Sequence, residues 1–144
     1  MRPGIADVDT YELFPIGWVR SSLKRRAEAP KQGYEGAPDA RIQVEAAFQP
    51  ALDRLTPGQD LLILTWLHEG RRDALAVRPR NDPSNPLHGV FATRSPDRPN
   101  PIGIHRVRLL AIESGGVLHV APLEAIDGTP VVDIKPALAE AGGW

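Results

Sequence analysis

Three prolines, Pro96, Pro99 and Pro101, fall within six residues of the run GVFATRSPDRPNPIGI at 89–104. Proline fixes its own φ and restricts the residue before it. Most of this loop is therefore held rigid at little cost in folding entropy. An apolar strand, Val90-Phe91-Ala92, is expected to run into the loop, and a second strand to leave it at Gly103. Between them lie Arg94, Asp97, Arg98 and Asn100. A solvated linker has no need of such stiffness. A binding loop does, because its arginines must be aimed before a ligand arrives.

The same punctuation runs through the chain. Its 144 residues include 15 prolines and 13 glycines, which favours turns and short strands over long helices. Alternation of Phe14, Ile16 and Trp18 predicts a first strand over 14–19. Residues 21–39 read as a long polar loop, and long ordered loops in small domains tend to be functional. Strands are expected at 41–48, 60–68, 73–80, 89–93, 103–113, 117–123 and 131–134, with one or two helical turns at 51–55. The continuous apolar run LLILTWL at 61–67 predicts burial on both faces. Ser114-Gly115-Gly116 is a hairpin signal, Asp127-Gly128 another turn, and 136–144 a tail. The expected architecture is mainly β: one domain over 1–144, an antiparallel barrel or sandwich with one or two short helices and long loops.

Several chemistries are absent from the sequence. With no cysteine there is no thiol nucleophile, disulfide framework or thiolate zinc site. The four histidines, His68, His88, His105 and His119, lack metal-ligand spacing, so no metal site is expected. No GxGxxG follows a strand, and no P-loop or HExxH is present. No stretch is long and apolar enough for a membrane span or a signal peptide, which with the missing cysteines points to the cytoplasm. The net charge of −1 hides an asymmetry: residues 71–108 carry eight arginines against three acids. Such a segment can attract a polyanion, or be a solvated face of mixed charge.

Arg94 and Arg98 offer planar donor forks suited to carboxylate or phosphate, or to a local ion pair with Asp97. Arg78, Arg80 and Lys135 are further cations for a phosphate backbone, and Asn100 could hold the loop or meet a base. Asp127-Gly128-Thr129-Pro130 is, alone, a common turn; His68-Glu69 is a strand-end pair that invites acid–base chemistry or simply faces water. Pro30-Lys31-Gln32 in its loop is bland by itself.

FATRSPDRPNPIGI, followed by IDGTPVVDIKP at 126–136, resembles the TrmO (YaeB-like) family, and the resemblance runs over 14–136. It implies a β-barrel that forms a homodimer, uses S-adenosylmethionine, and methylates N6 of threonylcarbamoyladenosine in the anticodon loop of tRNA. It places Pro30, Lys31, Gln32, His68, Glu69, Arg94, Ile104, Asp127, Gly128, Thr129 and Pro130 at the cofactor. Arg98, Asn100, Arg78, Arg80 and Lys135 then become candidates for RNA. Three positions depart from the family pattern: Lys31 stands for an arginine, Glu69 for a glutamine and Ala137 for a tyrosine. Lysine keeps the charge without the fork. The Glu69 charge could favour a sulfonium. Some bacterial members carry a further C-terminal domain; if that domain grips tRNA, the grip here is expected from the basic middle segment or a dimer partner, or the substrate is something else. Methyl transfer from a sulfonium mainly requires positioning of donor and acceptor. If a base assists, Asp127 and Glu69 are the candidates. A methyltransferase of small molecules and a non-catalytic RNA-binding barrel are the competing readings, the second weakened because only Phe91 lies near the arginines.

Overall fold

The computed structural model describes residues 9–138. It contains β1 (Gly17–Arg20), β2 (Ala40–Val44), β3 (Asp60–Trp66), β4 (Ala76–Val77), β5 (His88–Gly89), β6 (Ile102–Glu113), β7 (Val117–Ala121) and β8 (Pro130–Pro136). Six strands close an antiparallel barrel in the order β1-β2-β7-β6-β3-β8, with β8 pairing back onto β1. β4 and β5 form a separate two-stranded ribbon. Helical structure among the described residues is 3-10 throughout: the seven-residue Ala46–Leu52 and four single turns.

Period-two alternation builds the barrel. Val19, Ile42, Leu61, Ile63, Leu109, Leu118, Val120 and Val131 point inward and are almost fully buried. In β3 the buried set is Leu61, Ile63 and Thr65, whereas Leu62, Leu64 and Trp66 are only half-buried. The expected burial of this strand on both faces is therefore corrected. A barrel has one interior, and the outer residues of β3 share their face with polar neighbours: Leu62 is in register with Arg106 and Lys135. Gly115 and Gly116, both at positive φ, turn β6 into β7 as the sequence predicts.

The predicted strand ends shift where local hydrogen bonds compete. Val90–Ala92 is a 3-10 turn and not a strand. The Thr93 amide and hydroxyl both donate to Val90 O, at 3.0 and 2.8 Å, which closes the turn. Val90 is buried while Phe91 is exposed. The strand expected over 73–80 contracts to β4, and β2 ends at Val44, before Ala46–Leu52.

On the outer face, Asp60 receives Arg108 Nε at 3.0 Å and Arg106 Nη2 at 3.2 Å. The Arg108 hydrogen bond, aided by Arg106, outweighs burial and holds this carboxyl below the usual aspartate range. A depressed folded-state value stabilises above the unfolded pKa, about 4, and that gain is lost as pH falls through the folded value. Thermal stability should therefore fall more steeply with acid in the wild type than in Asp60→Asn. Parallel acid limbs would show that the ion pair contributes nothing to folding.

Candidate functional site

A cleft opens at the barrel end where β1, β3 and β7 finish and β2, β6 and β8 begin. Three loops, 21–39, 67–73 and 93–101, wall it together with the 122–129 connection between β7 and β8. It has two chambers. The inner one, about 140 Å³, is bounded by Pro30, Leu67, Ile102, Ile104, Ala125 and Ile126, with Arg94, His68 and Glu69 at its polar side. The outer one, about 790 Å³, runs past Tyr34, Arg78, Arg80, His88, Thr93 and Arg106. The chambers share a wall that includes Arg26, Lys31, Gln32, Arg94, Ile104, His105 and Glu124. The inner space alone is smaller than the ~300–1,000 Å³ of ordinary ligand clefts, so a ligand of that class would reach across the shared wall.

Long-range hydrogen bonds hold the loops together. Arg26 donates to Glu69 O at 3.3 Å and pairs with Asp97 Oδ2 at 3.2 Å, joining all three. Asp97 Oδ1 accepts the Arg71 amide at 2.9 Å, and Arg71 O accepts the Arg98 amide at 2.8 Å. Burial alone would raise the Asp97 pKa, but the Arg71 amide and Arg26 together hold it below the usual range. Gly70 sits where these loops cross: a Cβ there would lie 2.3 Å from Pro96 O. Gly103 is similarly confined, a Cβ falling 2.5 Å from Thr65 Oγ1 and 2.8 Å from His105 Nε2. Within the shared wall, buried His105 shares a 2.7 Å hydrogen bond with Thr65 through Nε2. Its Nδ1 lies 3.0 Å from Glu124 Oε2. That approach is close but off-line, and Nδ1 makes no well-directed hydrogen bond.

The structure brings Pro30, Lys31, Gln32, His68, Glu69, Arg94, Ile104 and Thr129 onto the inner chamber. His68 Nε2 and Glu69 Oε2 are 3.9 Å apart. Arg78 and Arg80 line the outer chamber, tied to Asn85 O at 2.7 Å and to Glu35 at 2.8 Å. Other expected residues lie elsewhere. Asp127 is turned to the first loop: its Oδ1 accepts the Ser21 amide at 2.9 Å and its Oδ2 pairs with Lys24 at 3.2 Å. The Ser21 amide first, then Lys24, depress its pKa. The Gly128 amide donates to Val19 O, and Pro130 faces a separate depression beside Trp66. Lys135 pairs with Asp133 at 3.3 Å on β8. Asn100 Oδ1 accepts Arg72 Nη2 at 3.0 Å, and the Arg72 guanidinium lies 5.1 Å over the Trp66 ring.

Arg98 lines the inner chamber, yet its guanidinium is spent on its own loop, donating to Val90 O, Thr93 O and Ser95 O at 2.9–3.0 Å. The basic middle segment is thus largely consumed by internal partners. Arg26, Gly70 and Glu124 were not singled out from the sequence. The visible signals were slight: a Lys24-Arg25-Arg26 run, a glycine after His68-Glu69, and an acid three residues before Asp127.

Fold and cleft together define a small antiparallel barrel with a ligand cleft built from crossover loops at one end. The family described as tRNA-methyltransferase O N-terminal domain matches residues 18–142, and the chain belongs to that family. A "Probable S-adenosyl-L-methionine-binding protein" of Archaeoglobus fulgidus is 46% identical over 125 residues, 87% of this chain and 33% of that protein. One of the same description from Methanothermobacter thermautotrophicus is 43% identical over 122 residues, covering 85% of this chain and 86% of its own. The crystal structure of TrmO from Pseudomonas aeruginosa superposes with TM-score 0.72 at 30% identity, over 94% of this chain and 60% of that one. The chain therefore spans about a third of the Archaeoglobus relative and three-fifths of the solved TrmO chain. Among the described residues no group of His, Cys, Asp and Glu could hold a metal ion, and no helix is long and apolar enough to cross a membrane.

Proposed function

We propose that this chain binds S-adenosylmethionine in the cleft and methylates N6 of threonylcarbamoyladenosine in a tRNA anticodon loop, as a cytoplasmic homodimer. The observation that carries the reading is the pair of adjoining chambers lined in part by the same residues, one suited to the donor and one to the acceptor. Family membership and the names of the relatives support the cofactor. The residues present fit it. Pro30, Ile104 and Ile126 give apolar faces for adenosine and methylenes, and Arg94 and Lys31 give cations for the terminal carboxylate. Glu69 puts negative charge beside a sulfonium. When bound, the cofactor supplies an activated methyl group. The chain's task is orientation and exclusion of water. Tyr34, Arg78 and Arg80 border the chamber assigned to the acceptor.

Calorimetric titration with S-adenosylmethionine tests this. Micromolar binding is expected for the wild type, weakened about tenfold or more in Arg94→Ala, as for loss of a charge-assisted bond. Absence of binding at millimolar cofactor, with and without tRNA, would overturn the reading. A second reading is favoured by the internal use of Arg71, Arg72, Arg98 and Arg108: an acceptor smaller than tRNA. Methylation of free threonylcarbamoyladenosine as fast as of modified tRNA would select it.

A further inference from the structure

We infer that Glu124 is the base that takes the acceptor's proton, with His105 behind it as a positioning residue. The inference rests on the methyl-transfer reading above and goes beyond it, because that reaction can proceed by positioning alone. A urea-type N–H is a weak nucleophile, and a carboxylate that removes its proton as the new bond forms lowers the barrier.

Four carboxylates stand near the cleft, and geometry separates them. Asp127 is held by the Ser21 amide and Lys24, and lies off the cleft wall. Asp97 is engaged by Arg26 and the Arg71 amide and faces only the outer chamber. Glu69 faces only the inner chamber, with its side chain half exposed. Glu124 is the carboxylate common to both chambers among the described residues, where donor and acceptor would meet. Its side chain is 13% exposed. His105 Nδ1 stands 3.0 Å from Oε2, a close approach without a well-directed hydrogen bond. His105 is itself fixed by its bond to Thr65. The titratable and charged groups sharing the wall with Glu124 are His105 from β6, Arg26 and Lys31 from the first loop, and Arg94 from the proline loop.

In the step, the acceptor nitrogen forms its bond to the methyl carbon as the carbon–sulfur bond breaks, the electron pair staying on sulfur. The N–H proton passes to a Glu124 oxygen, and water takes it from the carboxylic acid afterwards. Atoms and charge balance without a further reactant.

Glu124→Gln, isosteric, is the test, read by two methods. Single-turnover methylation should fall about 10²–10⁴-fold, and the acid limb of the pH–rate profile should disappear. Calorimetry should give unchanged affinities for S-adenosylmethionine and S-adenosylhomocysteine, so that their ratio holds. Glu124→Asp should restore the acid limb at reduced rate. His105→Gln should lower the rate less than Glu124→Gln and keep the acid limb. A wild-type rate in Glu124→Gln overturns the inference alone. So does a fall in the affinity ratio that matches the fall in rate, since the carboxylate would then serve the donor's charge. A wild type that binds no cofactor overturns the methyl-transfer reading first, and this inference with it.

Discussion

Gly70→Ala is expected to cripple the cleft while leaving the barrel folded. The added Cβ would lie 2.3 Å from Pro96 O, 3.1 Å from Leu67 O and 3.1 Å from Pro101 Cβ. Two of these neighbours are backbone oxygens, and the third belongs to a proline ring, so none can swing aside. Relief requires the 67–73 and 93–101 loops to part. Parting them strains the Arg71 amide to Asp97, the Arg98 amide to Arg71 O, and the Arg26 bridge. Overpacking of this kind costs about 1–3 kcal/mol. Borne by the loop arrangement, that corresponds to a cofactor affinity lower by about 5- to 150-fold. Neither Gly70 nor any residue its Cβ would meet belongs to the barrel's core cluster, so the main unfolding transition should move little. Calorimetry and thermal unfolding on one preparation separate the two effects. Wild-type affinity in the variant would mean that the loops adapt without loss, and that their crossing does not set the site.

What the sequence revealed of this molecule follows from how local each signal is. The alternation at 14–19, the apolar run at 61–67 and the paired glycines at 115 and 116 act over a few residues, and they point to barrel strands and a hairpin. Val90-Phe91-Ala92 misled because three apolar residues suit a strand, while the deciding bonds come from Thr93. Arginine roles were least legible. Arg26 meets Asp97 across 71 positions in sequence, and a charge count cannot say which guanidinium closes a loop and which faces solvent. The cleft gathers His68, Glu69, Arg94 and the 30–32 segment because their loops all leave the same barrel end. The Asp127 turn is close in sequence to that wall, yet its carboxylate is turned to Ser21 and Lys24. Glu124 needed His105, the partner strand and both chambers in view before it stood out.

Arg98→Ala should lower cofactor affinity by tenfold or more without changing how tRNA binding responds to salt. The guanidinium donates to three carbonyls of its own loop: Nη1 to Thr93 O at 3.0 Å and Ser95 O at 2.9 Å, and Nη2 to Val90 O at 3.0 Å. Hydrogen bonds from a charged donor contribute about 1.5–3 kcal/mol each, and the carbonyls they leave are part-buried. Truncation therefore releases the segment that carries Arg94. A phosphate contact behaves differently, because its loss reduces the slope of log affinity against log salt by about one. Arg98→Lys sharpens the distinction. Lysine keeps the charge, so a phosphate role would largely survive; but one ammonium cannot occupy both nitrogen positions of the fork, so a loop-holding role would not. Both variants should bind cofactor poorly, show faster amide hydrogen exchange over 93–101, and keep the wild-type salt slope. A reduced salt slope in Arg98→Ala, with cofactor affinity intact, would return Arg98 to the RNA interface and leave the loop's shape to its prolines.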